Sequence, residues 1–265
     1  MFFSWMRFLL ATLVLLGFLM AGQSFVHWIQ RAEQEKPRDT LTIGMIDDTP
    51  PFCFYGDENK LVGVNIDFVN EIGRRLHKKI HVESVSFNRL TSGLETRQYD
   101  IVSIGSVTPH RARVVRYVTP HLNSADVLLV HPNLAHVQSI NEFHHQLWTI
   151  GVYNGTSYIH LLKSKGLEKN MVIYPNQRDV FLAFYKRRVD AIIMNEIVAK
   201  YIQKHLDPSM VLVPEKVRTD RKYALAVKPD NLKLWRNLDD TIKSMLVDGT
   251  YQRIQSRWVQ VGNAE

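Results

Sequence analysis

The tetrapeptide Thr108-Pro109-His110-Arg111 combines the start of a helix with a cationic side chain. Threonine is favoured at the N-cap and proline at the first helical position, so Arg111 is expected in the first turn of a short helix, after a strand at residues 100–104. A guanidinium, free backbone N–H groups and the positive end of the helix dipole would then meet at one place. This geometry predicts a receptor for a carboxylate or a phosphate. The alternative is an arginine on a solvated helical turn.

A second group with possible chemistry is a set of four histidines, His131, His136, His144 and His145. The adjacent pair does not share a helical face, and no cysteine or ordered spacing supports metal ligation. We therefore expect surface histidines and no metal site. The sequence also contains no Walker A loop, GxGxxG fingerprint, GxSxG elbow or HExxH pair, so no nucleotide, hydrolase or zinc-protease chemistry is indicated and no cofactor is expected.

The composition limits the class of protein. The chain has 265 residues, of which 45% are hydrophobic and 22% are charged, which is typical of a globular protein and not of a disordered, collagen-like or multi-span membrane protein. The net charge of +7 is spread without a long basic run, so nucleic-acid binding is not indicated. The single cysteine, Cys53, excludes an internal disulfide and is expected to lie half-buried beside Phe52. A monomer is expected.

The N-terminus predicts export from the cytoplasm. Residues 8–30 contain no Lys, Arg, Asp or Glu, and most of them are apolar. The central part fits the apolar region of a signal peptide. Residues 8–29, with Trp28 at the interface, are also long enough to remain as a membrane anchor. Residues 1–30 are thus a signal peptide or an anchor, residues 31–40 a polar linker, and the remainder is expected in the periplasm.

Short strands and helices alternate through the exported part. Strands are predicted at residues 41–46, 80–85, 100–104, 148–152, 171–174, 190–194 and 223–227. Helices are predicted at residues 64–77 with Asn65 as a cap, and at residues 89–96, 157–165, 176–187 and 196–204. A further amphipathic helix carries Trp235, Leu238, Ile242 and Met245 on one face. This order favours an α/β protein with parallel-dominated sheets flanked by helices.

The order of the elements further predicts two lobes. The stretches at residues 126–132 and 218–227 flank the second group of elements and would connect the lobes as a two-strand hinge. The first lobe would comprise residues 41–128 and 218–265, and the second residues 129–217. A cleft between such lobes can close over a small molecule, because strand ends and helix N-termini converge there.

Several stretches together resemble the family 3 solute-binding proteins, the periplasmic polar amino-acid receptors of ABC importers. The stretches are residues 41–54 with Pro50-Pro51-Phe52, and residues 61–67, 87–100, 106–120, 151–157, 188–193 and 248–258. The resemblance spans residues 41–259 and implies the two-lobed periplasmic-binding-protein fold. It also implies a ligand carboxylate bound by Arg111. The residues that it implies around that carboxylate are Thr49, Phe87, Gly105, Ser106, Thr108, Gly155, Thr156 and Ser157.

Three departures from the family pattern bear on the ligand. Thr49 stands where the family usually has an aromatic residue, and the segment between Asp100 and Thr108 is one residue short. Asn195 stands where the family usually has the acidic residue that pairs with the α-ammonium group of the ligand. A neutral amide binds an ammonium less strongly than a carboxylate does, by about 1–2 kcal/mol. We therefore expect an anionic or weakly zwitterionic ligand at least as readily as a standard amino acid.

The leading functional hypothesis is a non-enzymatic receptor that presents a small carboxylated solute to an ABC permease and ATPase in the inner membrane. One alternative is an enzyme resembling cyclohexadienyl dehydratases, with Glu196 as the general acid. Another is a membrane-tethered sensory module, should residues 8–29 remain uncleaved.

Overall fold

The computed structural model describes residues 39–103 and 105–259. The predicted signal peptide or anchor and most of the linker lie outside these residues. Within the described part, no helix is long and apolar enough to cross a membrane. The strands are β1 (Thr40–Met45), β2 (Asp48–Thr49), β3 (Cys53–Tyr55), β4 (Leu61–Val62), β5 (Lys79–Ser84), β6 (Ile101–Val102), β7 (Arg116–Tyr117), β8 (Leu122–Val130), β9 (Ile150–Tyr153), β10 (Met171–Tyr174), β11 (Ala191–Asn195), β12 (Val211–Leu212), β13 (Arg218–Tyr223) and β14 (Ala226–Val227).

Seven α-helices accompany these strands in the described residues. They are α1 (Val64–Leu76), α2 (Leu90–Glu95), α3 (Ser157–Ser164), α4 (Gln177–Tyr185), α5 (Glu196–His205), α6 (Leu232–Val247) and α7 (Thr250–Val259). The predicted helices match α1 to α6 to within a few residues, since their apolar spacing is strong. The cap prediction for α1 is wrong: Gly63 occupies the N-cap, while the Asn65 amide donates to the Ser103 hydroxyl at 3.4 Å.

The strands form two larger sheets, which define the two lobes. The first has the order β5-β1-β6-β14-β7, with β5, β1 and β6 parallel and β14 antiparallel to both of its neighbours. The second has the order β10-β9-β11-β8-β12, with β10, β9 and β11 parallel. β8 is antiparallel to β11, and β13 also pairs with β8. The protein is therefore the mixed α/β structure that the alternation predicts.

The chain crosses between the sheets twice. β7 belongs to the first sheet and β8 to the second, so the first crossing lies at residues 118–121, before the predicted stretch at residues 126–132. The return lies between β13 and β14, inside the predicted stretch at residues 218–227. Residues 122–128 and 218–223, assigned to the first lobe from the sequence, thus pair within the second sheet because β8 and β13 form a long antiparallel pair. Apart from these segments, the lobe ranges stay a prediction.

The apolar faces of the helices make the core. In α1 the side chains of Phe68, Val69 and Ile72 are fully buried. In α6 the side chains of Leu238 and Ile242 are fully buried as well. Burial of each such side chain stabilises the fold by about 1.5–3 kcal/mol. Burial of these helix faces therefore stabilises the fold.

Candidate functional site

A cavity of about 130 Å³ lies between the two sheets. It is bounded by the carboxyl ends of β1, β6, β9 and β11, with Ile46, Ser103, Tyr153 and Asn195 among the lining residues. Parallel strands commonly place ligands at this edge. A water-sized sphere occupies about 10–15 Å³ by the same measure, so the cavity holds on the order of ten such spheres, which suits an amino acid or a small organic acid.

Arg111 enters this cavity from the first lobe. It is the first residue of a 3-10 turn, Arg111–Arg113, and its backbone N–H donates to the Thr108 hydroxyl at 3.2 Å. Its guanidinium donates to the Ser106 carbonyl at 3.0 Å and, across the cleft, to the Gly155 carbonyl at 3.3 Å. Burial lowers the pKa of the Arg111 guanidinium. The helix start predicted at Thr108 and Pro109 is replaced by this three-residue turn with His110 at its N-cap position, and the Thr108 hydroxyl still accepts from the Arg111 N–H.

Phe87 forms one wall of the cavity beside this cation. Its ring lies 4.7 Å from the Arg111 guanidinium carbon and packs edge-on against the Tyr153 ring, with 6.0 Å between centroids. Gly155 approaches the same ring from the second lobe, and a Cβ added there would lie 3.2 Å from Phe87. Gly155 also has φ +81°, which favours glycine. The close approach of the lobes at this point thus depends on a residue without a side chain.

Most of the residues implied by the resemblance line the cavity. They are Thr49, Phe87, Gly105, Ser106, Arg111, Thr156, Ser157 and Asn195. Two do not line it. Thr108 holds the turn that carries Arg111, and Gly155 contributes its carbonyl to Arg111. The predicted ligand contact of Thr108 is not supported by its position, because this residue is not among those that line the cavity.

The second lobe supplies a helix N-terminus. Thr156 is the N-cap of α3, but its hydroxyl donates to the Tyr153 carbonyl at 2.9 Å and makes no capping bond to the helix. The first backbone N–H groups of α3 are therefore not capped by that side chain. Ser157, the first helical residue, lies on the cavity wall. Donors thus approach the cavity from the second lobe as well as from Arg111.

Asn195 ends β11 at the cavity wall and is also the N-cap of α5. Its side-chain oxygen accepts from the Ile197 N–H at 2.8 Å, so its acceptor is already used by the helix. Glu196, next in the chain, does not line the cavity and pairs with Lys200 at 2.8 Å and Lys216 at 3.1 Å. The hydrogen bond from Lys200 lowers the pKa of Glu196, which is the opposite of what a general acid requires.

Sequence reasoning missed a second arginine in the cavity. Arg221 of β13 is 8% exposed and donates to Asp126 of β8 at 2.7 Å. Asp126 is fully buried and also accepts from the Tyr158 hydroxyl at 3.2 Å. Only the antiparallel pairing of β8 with β13 brings these residues together. No local pattern in the sequence could indicate that contact.

Gln177 is another missed residue, and it makes a contact between the lobes. It begins α4, and its amide donates to the Asp48 carbonyl at 2.9 Å and to the Thr49 hydroxyl at 3.4 Å. Thr49 therefore contributes to closure through a hydrogen bond instead of covering the ligand with an aromatic ring. Asn176, just before it, caps α4 by accepting from the Asp179 N–H.

The described residues show no group of three or more His, Cys, Asp or Glu side chains placed to hold a metal ion. His131 is buried and stacks on Phe184 with 4.1 Å between ring centroids, so its prediction as a surface histidine is wrong. Its burial lowers the pKa of the imidazole. His144 and His145 lie with their ring centroids 6.4 Å apart at the end of a 3-10 turn.

Comparison with known proteins identifies the family of the chain that contains this cavity. The model of one protein family matches residues 41–261, the greater part of the chain. The chain belongs to the bacterial extracellular solute-binding proteins, family 3. This confirms the resemblance inferred from the sequence. The chain is a solute-binding protein with the two-lobed fold of periplasmic binding proteins.

The individual relatives have low sequence identity to this chain. The chain is 26% identical over 230 residues to ABC transporter arginine-binding protein 1 of Escherichia coli K12, covering 83% of this chain and 90% of that protein. An ancestral arginine-binding protein bound to arginine superposes with a TM-score of 0.76 at 25% identity, over 83% of this chain and 98% of that chain. An ancestral amino acid-binding protein described as a precursor of cyclohexadienyl dehydratase gives a TM-score of 0.75 at 24% identity, over 83% and 95% of the two chains.

Proposed function

We propose that this protein captures a small carboxylated solute in the cleft between its lobes and delivers it to an ABC permease and ATPase of the inner membrane. The observation that carries the proposal is the placement of Arg111, whose fork, a bidentate match for a carboxylate, lies in a cavity bounded by both lobes. The family and the ABC transporter relative support the transport role. The periplasm is the corresponding location, with residues 1–30 as the export signal or anchor.

The donors around Arg111 support an acid as the ligand. In addition to the guanidinium, the cavity wall carries the Ser106 and Ser157 hydroxyls and the N-terminus of α3. Helix N-termini favour anions. Two relatives named above bind arginine, which is itself a small carboxylated solute.

The decisive experiment measures binding in the Arg111→Ala variant. Protein purified from its own periplasm is first examined by native mass spectrometry, because closed clefts can retain their solute. Calorimetry then compares wild type with Arg111→Ala, and the exposed neighbour Arg113→Ala is the matched control. We expect affinity to fall about 100-fold in Arg111→Ala, since a lost charge-assisted bond in a closed site costs about 2–3 kcal/mol. Binding that survives in Arg111→Ala would contradict the proposal.

No observation in the described residues favours the dehydratase alternative. Glu196, its general acid, is paired with two lysines outside the cavity wall. The likeness to the dehydratase precursor concerns the fold alone. Purified protein is accordingly expected to release no phenylpyruvate from prephenate.

A further inference from the structure

Arg221 brings a second guanidinium to the cleft. The side chain lies between the rings of Tyr158 and Tyr223, with its guanidinium carbon 5.0 Å and 5.6 Å from their centroids. It is 8% exposed and lines the cavity. Burial opposes its charge, but the neighbouring tyrosines and Asp126 raise the pKa of Arg221 overall. A buried cation is therefore a permanent feature of the cavity wall.

The same guanidinium connects both lobes. One terminal nitrogen donates to Asp126, and the other donates to the Ser106 and Ser157 hydroxyls, the second at 2.9 Å. Each hydroxyl thus accepts from Arg221, so its own proton is turned away from the guanidinium. Because both serines line the cavity, these protons are available to an acceptor inside it. Arg221 in this way orients donors on two lobes.

The charges around Arg221 leave a positive excess. Arg221 and Arg218 lie 2.7 Å and 3.8 Å from Asp126, so two cations share one carboxylate. Arg111 is near enough that the charge of Arg221 contributes to lowering the pKa of Arg111. Both arginines also contact Ser106, Arg111 at the carbonyl and Arg221 at the hydroxyl.

Opposing carboxylates are scarce at this site. Among the described residues that line the cavity, none is Asp or Glu. Asp47 and Asp48 lie near enough to raise the pKa of the Cys53 thiol on the wall, and Arg178 opposes Asp48, but neither carboxylate is itself on the wall. Two arginines, Arg111 and Arg221, therefore lie on the cavity wall without a carboxylate beside them on that wall.

We propose that Arg221 is a specificity-determining residue that makes the cleft selective for small dicarboxylates, with one carboxylate on Arg111 and the other on the Ser106 and Ser157 donors that Arg221 orients. This inference rests on the proposed function and names its ligand class. A dianion would meet two guanidinium groups and no carboxylate on the wall, whereas a cationic side chain would meet a guanidinium. The cleft thereby selects against arginine and other basic amino acids.

The test uses acids that differ in a single carboxylate. Calorimetry with solute-free protein compares succinate with butyrate, glutarate with pentanoate, and adipate with hexanoate, and includes L-arginine as the basic amino acid. We expect the best dicarboxylate to bind at least tenfold more tightly than the monocarboxylate of its pair, and also more tightly than L-arginine. Equal affinities within every pair, or tightest binding of L-arginine, overturn the inference.

Variants then assign the preference to Arg221. The double variant Arg221→Met with Asp126→Asn removes the buried pair as a unit, and Arg75→Met with Asp248→Asn removes an exposed pair as the matched control. We expect the dicarboxylate preference to fall to threefold or less in the first and to persist in the second. In the second variant the affinity for the monocarboxylate should also change by less than threefold.

Arg221→Lys covers the case in which the double variant does not fold, because it retains the charge without the fork. Its preference should fall severalfold, since an ammonium cannot hold Asp126 and both serines in the same geometry. If Arg221→Lys and the double variant both keep the full preference for dicarboxylates, Arg221 has a purely structural role and the inference is overturned. If the double variant is unfolded, a full preference in Arg221→Lys alone leads to the same conclusion.

The outcomes separate this inference from the proposed function. If pentanoate binds as tightly as glutarate and both depend on Arg111, the receptor stands and the dicarboxylate selectivity fails. If neither the acids nor L-arginine binds wild type, or if Arg111→Ala binds them unchanged, the proposed receptor site itself fails.

Discussion

Two arginine–carboxylate clusters in this protein differ chiefly in exposure to solvent. The cleft cluster, Arg221 with Asp126, has side chains 7% and 0% exposed. The outer cluster, Arg75 with Glu71 and Asp248, joins α1 to the end of α6, and its Arg75 and Asp248 side chains are 20% and 44% exposed. Exposed pairs are screened by water and contribute little to stability, whereas a buried charge depends on its partner.

The comparison indicates where function resides. None of the residues of the outer cluster lines the cavity, and Arg75 also donates to the Ser244 and Thr250 hydroxyls. The cleft cluster instead passes its hydrogen bonds on to Ser106 and Ser157 in the cavity. Similar arginine–carboxylate pairs thus connect two helices in the outer cluster and orient hydrogen-bond donors toward the cavity in the cleft cluster.

The largest expected effect is on stability when each arginine is removed alone. Arg221→Ala leaves Asp126 buried without its nearest cation, and we expect the free energy of unfolding to fall by about 3–5 kcal/mol. Arg75→Ala should cost about 1 kcal/mol. Urea unfolding at neutral pH measures both, and adding Asp126→Asn to Arg221→Ala should recover part of the loss. Equal losses in the two arginine variants would show that burial does not distinguish the clusters.

A second prediction changes the charge of the cleft through a helix cap. Asn195→Asp keeps a good N-cap for α5 and adds a carboxylate to the cavity wall. We expect the affinity for L-glutamate relative to glutarate to rise about tenfold, because the new carboxylate can pair with an ammonium. Asn231→Asp, at the exposed N-cap of α6, is the control and should leave this ratio unchanged. A ratio unaffected by Asn195→Asp would contradict the role of this wall.

A third prediction uses two glycines with positive φ, one near each cluster. Gly155→Ala, at φ +81°, places a Cβ 3.2 Å from the Phe87 ring and should weaken solute binding about fivefold, because the lobes approach each other there. Gly249→Ala, at φ +75°, meets only the end of the flexible Arg253 side chain. Both should lower the free energy of unfolding by about 1 kcal/mol, but only Gly155→Ala should alter binding. Calorimetry with the best-binding acid measures the affinity of both variants. An equal loss of affinity in Gly155→Ala and Gly249→Ala would contradict the prediction.

The smallest effect concerns the pH dependence of the outer cluster. A hydrogen bond from Arg74, followed by one from Arg75, lowers the pKa of Glu71 to about 2. Since this pKa is below that of the unfolded chain, the stabilisation by Glu71 is present above about pH 4.5 and is lost as the pH falls toward 2. Glu71→Gln should therefore cost about 1 kcal/mol at pH 7 and almost nothing near pH 2.5. Urea midpoints across this range measure the difference, and a constant difference would contradict the assignment.

The sequence indicated the elements better than their connections. The apolar spacing in α1 and α6 is local, and both helices occur where predicted. The single strand predicted at residues 223–227 is instead divided between β13 in one sheet and β14 in the other. Membership in a sheet depends on partners far along the chain, so periodicity alone could not show that division.

What the sequence determined by itself was the turn between Thr108 and Arg111 and the order of α/β elements, because turns and apolar periodicity act over a few residues. What only the tertiary structure decided was the meeting of Arg221 with Asp126, which are 95 residues apart. That contact depends on the antiparallel register of β8 and β13 and on an irregularity between Arg218 and Arg221. A register of this kind is set by the packing of two whole strands, and such long-range pairing leaves no signature in neighbouring residues.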